Sequence, residues 1–167
     1  MTGKPPDAPR IPAPGEGKRG EEGYLGYLLR QASAASRQAV EQALADLGVT
    51  QPQFLVMTMV NAYPGSSSAD VARLAMLTPQ TISVIVANLE RDGRLVRTVS
   101  ADHRRIQRMA LTEDGRALLA RCRDRTQAVE ARLASTLTPD QERIVRRWLV
   151  EVATTARGGA DIEPDAP

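Results

Sequence analysis

Gln80, Ser83 and Asn88 are spaced to share one side of the segment 78–92, and arginines 91, 94, 97, 104, 105 and 108 follow closely. Amides and hydroxyls in that arrangement can hydrogen-bond base edges in the major groove of DNA, while Val84 or Ala87 can meet a thymine methyl. Guanidinium groups have a different use. They pair with phosphates or settle in a narrow minor groove, so Arg91, Arg97, Arg104 and Arg105 complete the chemistry of a duplex contact. Ser68, Thr78, Pro79 and Thr81 border the same region and join the set of candidate DNA contacts.

Other chemistries are poorly supplied. His103 is the only histidine, and no paired carboxylates or nucleophile with a nearby base can be picked out, so no catalytic residue and no enzyme activity is expected. The single cysteine, Cys122, excludes a disulfide within the chain and any CxxC metal site. Arginines flank it in RCRDR, but its helical phase places it with Leu118 and Leu119 as a packing residue. A GxGxxG run, Gly15 to Gly20, has prolines before it where a dinucleotide site needs a strand. It is read as chance. No metal or cofactor is expected, and no apolar stretch is long enough to span a bilayer or serve as a signal peptide, which points to a cytoplasmic protein with no membrane partner.

The elements that position these residues are written in the hydrophobic spacing. With 42% apolar but only 3% aromatic residues, the core must be aliphatic, which favours helices. Apolar positions from Leu25 to Leu47 repeat every three or four residues, and Gly48 ends that helix. Thr50 and Gln53 form a capping box for an almost wholly apolar helix, 51–62. Ser67 or Ser68 caps a short helix over 69–76, and Thr78-Pro79 starts another that runs to Asp92 and stops at Gly93. On this last helix Ile82, Ile85, Val86 and Leu89 make the buried stripe, leaving the polar face outward. Residues 95–99 and 106–111 read as a hairpin with a charged tip. Thr112 opens a fifth helix through Leu118, Leu119, Cys122, Val129, Leu133 and Leu137. Thr138-Pro139-Asp140-Gln141 opens a sixth that buries Ile144, Val145, Trp148, Leu149 and Val152.

Three short helices, the last with a bare polar face, followed by a basic hairpin give the order of a mainly α winged helix-turn-helix. Residues 1–20 read as a disordered arm, 21–156 as the folded domain and 157–167 as a disordered tail. Within the domain the winged helix covers about 51–112, between flanking helices at about 22–48 and 113–156. The stretch LTPQTISVIVANLERDGRLVRT, then HRR, then LTEDG, resembles the multiple-antibiotic-resistance-regulator (MarR) family of transcription factors, over residues 24–156. The resemblance implies a recognition helix at 78–92, a wing whose arginine is Arg105, and a homodimer held by the terminal helices. It also has two departures: His103 stands where the family usually has Asp, with Asp102 one place earlier, and Val84 replaces a common basic residue.

Leu25, Leu28, Leu133, Leu137, Ile144, Trp148 and Leu149 lie on terminal helices that a small winged helix does not need for its core, so a second copy would bury them. The resemblance further implies a small aromatic or anionic effector. Tyr24, Tyr27, Arg30, Phe54, Met57 and Arg121 are its candidate contacts, an arginine among apolar side chains suiting a carboxylate. Sequence-specific binding of double-stranded DNA, as a ligand-responsive repressor on a pseudo-palindromic operator, is the function expected. The alternative is a winged helix used only for protein contact.

Overall fold

Side-chain hydroxyls set every α-helix start after the first in the computed structural model, which describes residues 11–99 and 107–158. Helix α1 (Leu25–Leu44) runs into a single 3-10 turn, Ala45–Leu47, and Gly48 closes it with φ 63°. Helix α2 (Gln51–Ala62) begins at a reciprocal pair: the Thr50 hydroxyl accepts from the Gln53 amide at 3.3 Å, and the Gln53 side chain accepts from the Thr50 amide at 2.9 Å. Helix α3 (Ser68–Ala75) repeats the device with Ser67 and Asp70, and helix α4 (Pro79–Arg91) uses Thr78. Each cap satisfies amides that have no partner within the helix. Both short helices differ by a residue from the sequence reading. Ser67 rather than Ser68 is the cap of α3, and Met76 leaves the helix because it adopts a left-handed conformation. Asp92 likewise terminates α4 instead of belonging to it.

The α3 cap carries a measurable load. Hydrogen bonds from the Ser67 hydroxyl and amide, with Arg73 adding a further donor, hold the Asp70 carboxyl down at about 2. Folding therefore lowers this pKa from 3.8, so its stabilising effect is complete above that value and is lost as the pH falls through about 2. Ser67→Ala is expected to cost about 1 kcal/mol, seen as a lower urea midpoint with an unchanged slope. An unaltered midpoint would mean that the cap does not hold the helix.

Strands β1 (Leu95–Val99) and β2 (Gln107–Leu111) pair antiparallel, with Leu95 opposite Leu111 and Arg97 opposite Met109. The hairpin reading thus holds over these residues; Ile106 and the tip, 100–106, lie outside the described residues. Beyond β2 the ladder continues for one step: Met109 accepts from the Gly65 amide at 3.3 Å and donates to the Ser66 carbonyl at 3.0 Å. The turn between α2 and α3 is thereby tied to the wing.

Helices α5 (Glu113–Ala134) and α6 (Pro139–Gly158) are the last elements among the described residues. The core lies among α2, α3, α4, the hairpin and the first half of α5, with Leu44, Val56, Met57, Ile82, Val86 and Cys122 fully buried. It ends near Thr126. Farther along α5, Leu133 is 52% exposed, and on α6 Ile144 is 64% exposed. The expected burial of the α6 stripe is corrected within one chain: Val145 and Leu149 are also exposed, and only Trp148 and Val152 are half-covered, because no second layer packs over them.

Part of the arm is among the described residues. Residues 12–23 form a closed turn against α1, in which Arg19 donates to the Pro12 carbonyl at 2.7 Å and to the Gln31 side chain at 3.3 Å. A side chain at Gly20 would overlap the Gly15 carbonyl, so the glycine run builds this turn. The expected disorder of 1–10 and 159–167 lies outside the described residues.

Candidate nucleic-acid interface

Helix α4 separates its two faces cleanly. Ile82, Ile85, Val86 and Leu89 are between 0% and 7% exposed and fix the helix on the core. Gln80, Thr81, Ser83, Val84 and Ala87 stand outward, as do Thr78 and Pro79 at its start. The hydroxyls are already engaged locally: Ser83 donates to the Pro79 carbonyl at 2.9 Å, and Thr78 and Thr81 share a 2.9 Å bond. Among the described residues Gln80 has no such partner, and its amide faces outward. Asn88 is half-buried, at the margin of the face instead of its centre, and Ser68 is half-buried with its hydroxyl 3.9 Å from the Met109 sulfur.

The arginines divide by role. Arg97 grips Glu90 with two nitrogens, Nε at 2.8 Å and Nη2 on the other carboxylate oxygen, and this bond raises its pKa further. Arg108 donates to the Gly65 carbonyl at 2.8 Å, and Arg94 reaches the Asp114 carbonyl at 3.5 Å. These three brace the hairpin against the helices. Arg91 stays at the surface, with Nε 3.5 Å from Asp92. Arg104 and Arg105 lie outside the described residues, together with Asp102 and His103. Sequence reasoning missed the bracing because its partners are distant in the chain and two are carbonyls; only Glu90, inside LERDG, left a signal.

At the other end of the molecule α1, α5 and α6 enclose an open apolar groove of ≈ 590 Å³. Leu25, Leu28, Leu133, Trp148 and Leu149 line it, so five of the proposed dimer residues come together there. Leu137 and Leu149 share the adjoining smaller groove, and Ile144 is exposed beside them on α6.

A model of the MarR family matches residues 47–106, which span α2 to the wing. The HTH-type transcriptional repressor Rv2887 of Mycobacterium tuberculosis is 37% identical over 134 residues, 80% of this chain and 96% of that protein. The chain belongs to the MarR family. A solved structure of Rv2887 in complex with DNA matches with a TM-score of 0.64 and 36% identity, over 77% of this chain and 97% of that one. The transcriptional repressor CouR, bound to a 23-mer DNA duplex, matches with a TM-score of 0.72 and 29% identity, over 78% and 92%.

Two segments that carry the MarR resemblance turn out to touch each other. Gly93, at φ 68°, ends α4, and its carbonyl accepts the Thr112 hydroxyl at 2.7 Å. That same Thr112 caps α5 by accepting from the Gly115 amide at 3.0 Å. The Arg94 carbonyl lies directly over Gly115, where any Cβ would collide with it. LERDG and LTEDG are thus the two halves of one joint, which fixes α4 to the long helix behind the wing.

The MarR effector candidates are dispersed in exposure. Met57 is fully buried in the core, and Phe54 packs against that core. Tyr24, Tyr27, Arg30 and Arg121 are at the surface, and none of the six lines the α1–α5–α6 groove. Cys122 is fully buried and burial pushes its thiol pKa up, in keeping with a packing role. It is expected to resist alkylation at neutral pH in folded protein and to react only after denaturation; rapid labelling of the native chain would contradict this. Among the described residues no cluster of His, Cys, Asp or Glu could hold a metal, and no helix is long and apolar enough to cross a membrane.

Proposed function

We propose that this MarR-family chain is a homodimeric transcriptional repressor that places two α4 helices in successive major grooves of a pseudo-palindromic operator. The carrying observation is the outward face of α4, polar and almost uncharged, held rigidly by a fully buried stripe. Two-fold pairing through the α1–α5–α6 groove would set the reading helices one DNA turn, ~34 Å, apart. Base contacts fall to Gln80, Thr81, Ser83, Val84, Ala87 and Asn88, with Ser68, Thr78, Pro79 and Arg91 nearer the backbone. Arg104 and Arg105, which lie outside the described residues, are assigned the charge contacts of the wing, and Arg97 shapes the wing from its root.

The relative Rv2887 was solved in complex with salicylic acid, at 37% identity over 79% of this chain and 98% of that one, with a TM-score of 0.64. A small aromatic acid is the effector class proposed here. Arg30 and Arg121 offer guanidinium groups for its carboxylate, and Tyr24, Tyr27 and Phe54 offer ring contacts. Met57 would act by shaping the core beneath them.

Selection from a random duplex pool at near-physiological salt tests the reading. Enrichment of a pseudo-palindrome, and its release by an added aromatic acid, are the results expected. Failure of folded protein to enrich any sequence would favour a winged helix used for protein contact. Arg105→Ala should weaken binding to every duplex and flatten the salt dependence, since phosphate contacts carry little sequence information. An unchanged slope would remove Arg105 from the interface.

A further inference from the structure

Met76 sits where a Cβ costs the fold something, and its side chain is largely unpacked. It occupies the turn between α3 and α4 with φ 53° and ψ 39°, and it is the only non-glycine residue with positive φ among the described residues. Its amide caps α3 by donating to the Ala72 and Arg73 carbonyls, and the Leu77 amide returns to Ala72 at 3.1 Å. This is a helix-ending turn in which glycine is the usual occupant, because a Cβ is disfavoured there. The neighbours lock the geometry: Ala75 is 3% exposed, and Leu77 packs against the core. The side chain itself is 76% exposed, whereas Met57 and Met109 are buried at 0% and 1%.

An apolar side chain held in a disfavoured backbone conformation, and left in water, is explained by neither local structure nor packing. Its position offers the explanation. Met76 lies two residues before Thr78, the cap of the helix whose exposed face includes another bare apolar residue, Val84, at 62%. We propose that Met76 is a DNA-contacting residue, whose flexible thioether chain packs on apolar surface of the duplex beside the N-terminus of α4. Such surface is provided by the thymine methyl and by deoxyribose carbons. The contact is uncharged, so it adds affinity without adding to the salt dependence. This inference rests on α4 being the reading helix.

The test uses full-length protein and the duplex that it enriches from the random pool. Met76→Gly relieves the backbone, so its Tm is expected to rise by about 3 °C, while Kd rises about tenfold with an unchanged salt slope. Met76→Asn, which tolerates the left-handed conformation but is polar, should lose similar affinity, and Met76→Leu should restore most of it. Replacing thymines one at a time by deoxyuridine distinguishes the sources. One position that weakens the wild type but not Met76→Gly identifies a base methyl, and the absence of any such position identifies the sugar. A Met76→Gly protein that is more stable and binds as tightly as wild type overturns the proposal while leaving the α4 reading intact. A wild-type protein that binds no duplex overturns both.

Discussion

Gly115→Ala is expected to destabilise the domain by more than about 3 kcal/mol, lowering the Tm by roughly 10 °C. The added methyl would meet the Arg94 carbonyl, with its carbon and Cα just behind. Backbone cannot rotate out of the way as a side chain can. Either α5 must move off the start of β1, or the residue after Gly93 must shift and pull the end of α4 with it. Both movements strain the hydrogen bonds of Thr112 to Gly93 and Gly115. Gly26→Ala provides the control, because a Cβ there meets nothing within 4 Å and alanine is the better helix former. Thermal unfolding of the two variants side by side decides the matter: equal Tm values would show that the joint is not as tight as described.

Leu149→Glu is the second large effect, and it should act on assembly while sparing the fold. Leu149 is 44% exposed in the single chain and lines both grooves at the α1–α5–α6 end, remote from the packed core. A carboxylate there costs little in a monomer. Across a two-fold interface it would occur twice, and each copy would have to surrender its water without a partner cation. The expected outcome is a monomer by sedimentation at concentrations where wild type is a dimer, with near-native helix content. Operator affinity should fall at least about a hundredfold, because a lone half-site contact forgoes the gain from linked binding. A Leu149→Glu protein that sediments as a dimer would move the interface elsewhere.

Helix boundaries were legible in the sequence because their determinants are local. Thr50 with Gln53, Thr78 with Pro79 and Thr138 with Gln141 act within three residues, and each is found at the helix start it signals. The buried phase of Cys122 and the two faces of α4 followed from helical spacing for the same reason. What escaped notice depends on distance or on an atypical residue. No sequence signal marks Arg108 as a brace, since its partner is the carbonyl of Gly65, 43 residues away. Met76 occupies a glycine conformation without being glycine, so the sequence reading carries helix α3 one residue too far into the turn. The glycines of 15–20 read as part of a disordered arm, although Gly20 sits where a Cβ would strike the Gly15 backbone and Gly15 and Gly17 have positive φ. The apolar stripe of α6 is exposed in the single chain, and helical periodicity alone does not distinguish such a stripe from one that faces a core.

The backbone bonds joining Gly65 and Ser66 to Met109 also bear on the order in which the molecule is made. During synthesis the caps of α2, α3 and α4 emerge complete, because each lies within three residues of its partner, whereas the core they share with the hairpin waits for the wing. Met109 arrives more than forty residues after its partners, and closing so long a loop carries an entropic cost that the local helices do not face. Until then the turn between α2 and α3 has its amides and carbonyls in water. The local caps of α4 therefore cost no long loop, while the contacts that set its angle to the wing require β2 to fold back and the joint at Gly115 to close behind it.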